Sequence, residues 1–219
     1  MITNNTLTPS QRSLLFNGSC MALIATALCF AIRSDVFDAQ AAEFALSKEQ
    51  IGWTASTAFW GFTVAMLFGG PLCDRIGMKP LLGAAFVMHL TGVLVTVVAQ
   101  GFWSLYSATL AIGIANGLVE AAINPLAATL YPERKVQKLN LLHLWFPGGI
   151  VIGGLIAWML TGLDIGWRIK SATILIPTLI YAWMMFRLPF PRTEAVAQGL
   201  SLKDVYAEAL RPMFWRFFG

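Results

Sequence analysis

Six long apolar runs, separated by short polar segments, dominate the chain. They cover residues of about 13–42, 51–72, 81–99, 103–130, 139–160 and 169–186. Each run is about as long as the roughly 20 apolar residues with which an α-helix crosses a bilayer. The pattern predicts an all-α integral membrane protein: a polar tail over 1–12, then a bundle of six transmembrane helices over 13–187.

The composition supports a membrane protein and excludes several classes of function. Of the 219 residues, 57% are hydrophobic and 12% are charged, about half the charged fraction of a soluble domain. Cys20, Cys29 and Cys73 lack the spacing of metal ligands, so we expect free thiols and no metal site. The sequence shows no phosphate-binding loop, no nucleophile elbow and no basic patch with interleaved aromatics. We expect no enzymatic activity, no ATP-driven step and no nucleic-acid partner.

The distribution of positive charge predicts the orientation of the chain. Ten of the fifteen lysines and arginines fall in segments on the side of the N-terminal tail, and three fall on the other side. Segments rich in lysine and arginine stay in the cytoplasm. We therefore expect a multi-pass protein of the plasma (inner) membrane with a cytoplasmic N-terminus.

The segment between the second and third runs carries glycines and charges at fixed spacing. Its pattern is Gly70-x-x-x-Asp74-Arg75-x-Gly77-x-Lys79. This resembles the loop between helices 2 and 3 of the major facilitator superfamily, G-x-L-a-D-[RK]-x-G-[RK]-[RK], except that Met78 stands where the family often has a basic residue. Because Pro71 and Gly77 break helices, we expect a tight reversal between the second and third runs.

The resemblance implies the N-terminal bundle of a twelve-span fold, in which two six-span halves enclose a solute site near the midplane. Residues 188–211 fit a cytoplasmic linker with a short amphipathic helix around Val205, which either lies on the membrane surface or is a solvated loop helix. Residues 212–219 resemble the start of a seventh span. We expect the chain to be truncated there, so that its partners are the lipid bilayer and a missing C-terminal half.

Glu120 lies well inside the fourth run, between Asn116 and Asn124. An ionisable group within a membrane span is costly unless it is paired, protonated or facing water, and it is a functional-site candidate by default. Burial favours the neutral form of a carboxyl group, which suits Glu120 to bind and release a proton. The alternative is a structural glutamate that is hydrogen-bonded to Asn116, to Asn124 or to a nearby hydroxyl.

The residues around Glu120 resemble the sugar:proton symporter branch of the superfamily, of which the fucose:proton symporter is an example. That branch has an acid before an Asn-Pro, then a Gly-Pro-Glu and an Arg-Leu-Asn-Leu. The corresponding residues here are Glu120, Asn124-Pro125, Pro132-Glu133 and Leu139-Asn140-Leu141. Tyr131 replaces the glycine and Lys138 replaces the arginine. The resemblance implies that Glu120 takes part in substrate or proton binding.

The end of the first run carries Arg33, Asp35 and Asp38. The same branch has an acid in the outer half of span 1 that takes part in proton coupling, and Asp35 is its nearest match, one residue out of register. Spans 1 and 4 both line the cavity in this superfamily, so Arg33 and Glu120 are candidates for an ion pair. The alternative is an interfacial cluster in which Arg33 neutralises the two aspartates.

His143 is a further candidate for the cavity, because Asn140 lies three residues earlier on the same helical face. His89 fits a hydrogen-bonded packing residue better than a ligand. Small residues at four-residue spacing predict close helix contacts at Gly113 with Gly117 and at Gly149 with Gly153. Four tryptophans are candidates for stacking on a sugar or for packing and interface anchoring, namely Trp53, Trp60, Trp145 and Trp158.

With the resemblance, these residues predict a proton-coupled secondary transporter that takes up a small polar solute, such as a sugar, by alternating access. The predicted solute and proton site comprises Arg33, Asp35, Asn116, Glu120, Asn124, Asn140 and His143. The predicted gating motif comprises Gly70, Asp74, Arg75, Gly77 and Lys79. A proton or other ion gradient would drive transport, with no cofactor. The alternatives are an exporter of metabolites or drugs from another branch, and a non-transporting scaffold or half-size subunit.

Overall fold

The structure is a computed structural model and describes residues 7–197 and Gly199. Every regular element in this part of the chain is helical. The α-helices are α1 (Pro9–Glu43), α2 (Lys48–Ile76), α3 (Met78–Val97), α4 (Phe102–Leu130), α5 (Lys135–Gly162), α6 (Trp167–Ala172), α7 (Leu175–Phe186) and α8 (Glu194–Ala197). A short 3-10 helix (Pro132–Arg134) leads into α5. The predicted all-α fold is confirmed.

Within the described residues, six spans are long and apolar enough to cross a membrane, as the sequence predicted. The sixth consists of α6 and α7 in succession. They are separated at Thr173 and Ile174, just before Pro177. Proline has no backbone N–H to donate to the carbonyl four residues earlier, and the Thr173 carbonyl accepts from Ile176 instead, at 3.1 Å. The predicted amphipathic helix around Val205 and the predicted seventh span over 212–219 lie outside the described residues.

The turn between α2 and α3 differs from its prediction. Pro71 does not break the helix, since α2 continues through it to Ile76. Proline is tolerated inside membrane helices because neighbouring groups satisfy the carbonyl that it leaves free. Gly77 alone makes the reversal, with a φ of 93° that favours glycine. Asp74 and Arg75 therefore lie in the last turn of α2, and α3 starts directly at Met78.

The starts of α1 and α2 agree with local sequence signals. Ser47 caps α2 by accepting from the Gln50 backbone N–H at 3.2 Å, and the Gln50 side chain accepts from the Ser47 N–H at 2.9 Å. Thr8 and Gln11 form the same reciprocal cap at the start of α1. These pairs satisfy backbone N–H groups that a helix start leaves without partners. Ser47 and Gln50 thus form a capping box at the start of α2.

The bundle is built around α1 and α4, which contact each other. Helix α4 also packs against α2, α3 and α5, whereas α1 also packs against α5, α6 and α7. Glycines let the backbones approach closely. A methyl group on Gly113 would lie 2.8 Å from the Cα of Ala58, and one on Gly153 would lie 2.7 Å from the Cβ of Ala31. The predicted close contacts are confirmed, between α4 and α2 and between α5 and α1.

Replacing Gly149 by alanine is expected to destabilise the bundle by about 1–3 kcal/mol, the usual cost of overpacking. The added methyl would lie 2.6 Å from the Cβ of Ala27, so α1 and α5 would have to separate. Gly148→Ala is the matched control, because nothing lies within 4 Å of its new methyl. Thermal unfolding in detergent tests the pair, and equal midpoints for the two variants would contradict the packing described here.

Helices α2 and α5 both expose broad apolar surfaces. Helix α2 exposes Phe59, Leu67 and Phe68, and α5 exposes Leu155 and Trp158. Apolar patches of this kind mark contacts with lipid or with other membrane helices. The bundle therefore offers surface on both α2 and α5 for the bilayer or for a second group of helices.

Candidate functional site

Glu120 is buried on α4, with 9% of its surface exposed, and it lines a cavity of about 580 Å³. Its Oε2 accepts a hydrogen bond of 3.0 Å from Nδ2 of Asn124, one turn later on the same helix. The other residues that line the cavity are mostly aromatic or aliphatic, namely Phe30, Phe59, Phe62, His143, Phe146, Pro147 and Ile150. A single carboxyl group therefore faces an otherwise apolar cavity, with one imidazole beside it.

A second cavity, of about 440 Å³, lies towards the end of the bundle that carries the α2–α3 turn, which we call the motif end. Its lining includes Asp74, Asn124, Lys135 and His143. His143 borders both cavities, and Asn124 reaches from the second cavity to the carboxylate of Glu120. Polar side chains thus connect Glu120 with the motif end of the bundle.

Asn116 faces α3 and belongs to a buried hydrogen-bond network. With Nε2 protonated, His89 donates to Oδ1 of Asn116 at 2.7 Å, and its Nδ1 accepts from the Tyr181 hydroxyl at 3.3 Å. All three side chains are fully buried. The network joins α3, α4 and α7, and His89 has the packing role that the sequence indicated. Asn140 is exposed on α5 and lines neither of the cavities that His143 borders.

Asp35 lies at the end of the bundle opposite the motif and pairs with a lysine. Lys170 Nζ donates to Oδ2 of Asp35 at 2.8 Å and to the hydroxyl of Thr161 at 2.6 Å. The Lys170 side chain is only 10% exposed and that of Asp35 is 27% exposed. The pair ties α1 to α5 and α6. Asp35 does not line the cavity of Glu120.

A second ion pair lies at the end of the bundle that also holds Asp35 and Lys170. Arg168 lies 2.7 Å from Oε1 of Glu43, and the indole N–H of Trp167 donates to Oε2 at 2.6 Å. Arg168 also donates to the backbone carbonyl of Ala99 at 3.2 Å, in the turn between α3 and α4. This cluster fastens the end of α1 to the start of α6.

Arg33 forms neither of the ion pairs that the sequence analysis considered for it, with Glu120 or with the neighbouring aspartates. Its Nε and Nη1 atoms are buried and have no hydrogen-bond partner among the described residues. The guanidinium carbon lies 4.9 Å from the ring centre of Phe30, 5.8 Å from that of Phe37 and 5.5 Å from that of Phe59. The ion pair with Glu120 that we considered is not formed, and the adjacent Asp35 is bound to Lys170.

The motif residues contact the segment that follows α7. We call residues 188–193 the strap. The hydroxyl of Thr193 donates to Oδ1 of Asp74 at 2.6 Å, and Lys79 Nζ donates to the carbonyl oxygen of Leu188 at 3.0 Å. Lys79 Nζ also lies 5.9 Å from the ring centre of Phe190. The α2–α3 turn is thus tied to the start of the segment predicted as a linker.

The remaining motif residues are at the surface or in the turn. Arg75 is exposed and lines a cavity of about 610 Å³ between the turn and the strap, which Gly77 also borders. Gly70 is exposed, and a methyl group added to it would meet nothing within 4 Å. It is the preceding Gly69 that makes the close contact, since a methyl there would lie 2.7 Å from the Cβ of Ala121 on α4.

Replacing Thr193 by valine is expected to loosen the strap. A hydrogen bond to a charged group contributes about 1.5–3 kcal/mol, so the strap should open at least ten-fold more often. Limited proteolysis would detect this as faster cleavage near Thr193. Thr91→Val is the control, because the exposed Thr91 hydroxyl bonds only to its own helix. Equal cleavage of both variants would show that the bond to Asp74 does not hold the strap.

Sequence reasoning did not identify Lys170 as the partner of Asp35, or the phenylalanines as the wall of the cavity. Lys170 carried a usable signal, since a lysine within an apolar run needs a counter-charge. The phenylalanines carried none, because aromatic residues are common throughout the spans. The four candidate tryptophans are exposed on the outside of α2 and α5, and none of them lines the cavity of Glu120.

These features define a class of protein: a multi-pass membrane protein whose described residues form six spans, with a buried carboxyl group in a cavity that α1, α2, α4 and α5 line, and a charged turn between the second and third spans. Residues 13–218 match the sequence profile of the Major Facilitator Superfamily. The chain belongs to this family, which confirms the resemblance seen in the α2–α3 turn.

Similar proteins carry several kinds of transporter name. The chain is 27% identical over 136 residues to the D-xylose transporter of Levilactobacillus brevis, which covers 62% of this chain and 30% of that protein. It is 29% identical over 177 residues to the 3-(3-hydroxy-phenyl)propionate transporter of Escherichia coli, covering 75% and 41%. Other matched proteins are named as a gentisate transporter and as multidrug resistance proteins. The chain spans less than half the length of these curated relatives.

The fold has a close counterpart among solved structures. The crystal structure of tetrameric PepTSo2 superimposes with a TM-score of 0.69 at 15% sequence identity, covering 90% of this chain and 46% of that chain. At this identity the likeness concerns the fold alone. The predicted six-span bundle, half of a major facilitator fold, is confirmed.

Proposed function

We propose that the protein is a secondary transporter that takes up a small organic solute together with protons by alternating access. The observation that carries the proposal is the buried carboxyl group of Glu120 in a cavity large enough for a small solute. An ionisable group at this depth is the usual sign of a proton or solute pathway. Nothing else in the lining of that cavity, apart from His143, can carry a charge.

Proton transfer at Glu120 has a path through this chain's own residues. When the cavity opens towards the motif end, His143 connects the carboxyl group with the second cavity, and Asn124 holds Oε2 in place. A protonated Glu120 is neutral and compatible with the apolar wall. A deprotonated Glu120 keeps the hydrogen bond that Asn124 donates to it. Exchange between these two states would couple proton release to the opening of the cavity.

The proposed orientation places the motif end in the cytoplasm of a plasma (inner) membrane. Arg75, Lys79, Arg134 and Lys135 all lie at that end, as the positive-inside rule requires. A second six-span half would complete the cavity and contact the apolar faces of α2 and α5. The strap and the α2–α3 turn, joined through Asp74, would then control opening towards the cytoplasm.

Two observations favour particular solutes or directions. The sequence pattern around Glu120 and the similarity to a D-xylose transporter favour sugar uptake. Similarity to multidrug resistance proteins favours export as the second candidate. The cavity itself offers a sugar few hydrogen-bonding groups, since six of its eight lining residues are Phe30, Phe59, Phe62, Phe146, Pro147 and Ile150.

Transport in proteoliposomes tests the proposal. The full-length protein is reconstituted and given D-xylose, 3-phenylpropionate or a cationic dye, with or without an imposed pH gradient. Uptake of one solute that rises with an acidic exterior and falls with a protonophore is the expected result. Uptake that changes with neither the pH gradient nor the protonophore would refute proton coupling. Efflux of the dye alone in exchange for protons would favour the exporter.

A further inference from the structure

Arg33 carries a charge whose hydrogen-bonding atoms are buried and only partly used. Its Nε and Nη1 atoms have no hydrogen-bond partner among the described residues. The rings of Phe30, Phe37 and Phe59 lie around the guanidinium carbon, and such rings attract a cation without replacing a negatively charged acceptor. A buried charged donor is costly to leave unpaired, so a counter-ion, a water molecule or a ligand is expected beside it.

The carboxylates near Arg33 do not supply this negative charge. Asp35 accepts from Lys170 at 2.8 Å, and Asp38 is exposed on α1. Among the residues that the structure describes, no carboxylate forms an ion pair with Arg33. Inside this end of the bundle, two cations, Arg33 and Lys170, therefore share one carboxylate, and one positive charge is left over.

Arg33 borders an internal cavity of about 30 Å³ that lies among α1, α3, α4 and α6. The other residues that line this cavity are all buried. No residue of α2 or α5 belongs to the lining. A second group of helices packed on the exposed faces of α2 and α5 would therefore leave the cavity as it is, so the full-length protein should contain it too.

Two further polar side chains with unused donors line the same cavity. Gln40 is 4% exposed and Thr109 is 7% exposed, and neither side chain forms a hydrogen bond with another described residue. The hydroxyls of Thr96 and Ser171 also line the cavity, but each already donates to a carbonyl of its own helix, at 2.9 Å. The donors left for a ligand are the guanidinium of Arg33, one amide and one hydroxyl.

The volume and the charge of the cavity specify its ligand. One water molecule needs roughly 10–15 Å³ by this measure, so about 30 Å³ gives room for a single ion slightly larger than water. A carboxylate with an organic body does not fit. A water molecule would accept from some of the donors but leave the charge of Arg33 uncompensated. A monatomic anion accepts from all of them and neutralises the guanidinium.

We propose that Arg33, Gln40 and Thr109 bind a halide ion, with chloride as the natural ligand, in the cavity among α1, α3, α4 and α6. The bound ion joins α1 to α4 at the end of the bundle where Asp35 and Lys170 join α1 to α6. None of the residues that line this cavity lines the cavity of Glu120. The chloride site is therefore separate from the solute site, and the inference does not rest on the proposed transport function.

Thermal unfolding of the full-length protein in detergent tests the inference. Chloride is exchanged stepwise for gluconate at constant ionic strength. A ligand that binds only the folded state raises its stability with concentration, so the midpoint should rise as chloride replaces gluconate. Bromide should act like chloride, and sulfate, which is too large for the cavity, should act like gluconate. Equal midpoints in chloride and gluconate would overturn the inference in favour of water, and an equal rise in sulfate would overturn it in favour of a general salt effect.

Variants locate the ion. Arg33→Gln is expected to abolish the chloride-dependent rise of the midpoint. Thr109→Val removes one donor at nearly constant size and should weaken the apparent affinity for chloride about ten-fold, as for a lost hydrogen bond to a charged group. Thr91→Val is the matched control, because the exposed Thr91 hydroxyl bonds only to its own helix, and it should respond to chloride as the wild type does.

Thr109→Val keeps the test decisive even if Arg33→Gln does not fold, because it leaves the buried charge in place. A chloride response in folded Arg33→Gln equal to that of the wild type would overturn the assignment. So would an unchanged apparent affinity in Thr109→Val when Arg33→Gln gives no folded protein.

Discussion

Replacing Glu120 by glutamine is expected to abolish accumulation of the solute against its gradient while leaving exchange across the membrane intact. Glutamine resembles the protonated carboxyl group in shape and charge, so the solute-loaded cavity still forms. It cannot release a proton, so the pH gradient can no longer drive net uptake. The steady-state ratio of inside to outside solute should fall to about one, and net uptake should fall by roughly 100-fold or more, as for loss of an essential proton-transfer group.

Counterflow and net uptake, measured side by side in proteoliposomes, check this result. Glu133→Gln is the matched control, because Glu133 is exposed in the 3-10 helix at the motif end. It should behave as the wild type in both measurements. Gradient-driven accumulation that survives in Glu120→Gln would assign the proton to another group. Loss of counterflow as well would make Glu120 a solute ligand rather than a proton carrier.

Replacing Asp35 by asparagine is expected to destabilise the bundle by about 1–3 kcal/mol, because it leaves the buried ammonium group of Lys170 without its charged partner. The midpoint of thermal unfolding in detergent should fall by several degrees. Asp38→Asn, on the exposed face of the same helix, is the control and should change stability by no more than about 0.5 kcal/mol.

A double-mutant cycle then separates structure from proton coupling at Asp35. Lys170→Met removes the charge that needs Asp35, so the double variant Asp35→Asn/Lys170→Met should recover most of the lost stability. If the pair is structural, the double variant also keeps solute-driven proton movement. A double variant that is stable but uncoupled would instead show that Asp35 carries a proton, as the resemblance to the sugar symporter branch suggested.

The sequence determined the helices well, because each span must satisfy its backbone hydrogen bonds internally and bury or expose about 20 apolar residues. Length and hydropathy therefore located all six spans. The ends were harder to predict. Pro71 was expected to break α2 and does not, since the carbonyl that a proline leaves free is tolerated in a membrane helix, whereas Gly77 ends α2 with a positive φ. The break before Pro177 was also not anticipated.

The site could be predicted only where a single residue was unusual in its own context. Glu120 stood out because a carboxyl group deep in a span is rare, and the structure places it in the large cavity with its predicted neighbour Asn124. The aromatic surroundings of Arg33 and the ion-pair partner of Asp35 depend on contacts between helices. Asp35 and Lys170 are joined across 135 residues, a relation that no local pattern contains.

The most direct test of the central claim is the ratio of protons to solute that enter together. Internal pH and radiolabelled solute would be recorded in the same proteoliposomes, for the wild type and for Glu120→Gln, with no imposed pH gradient. The account predicts a fixed ratio close to one proton per solute in the wild type and no solute-dependent proton entry in the variant. Solute entry without protons in the wild type, or unchanged proton entry in the variant, would contradict it.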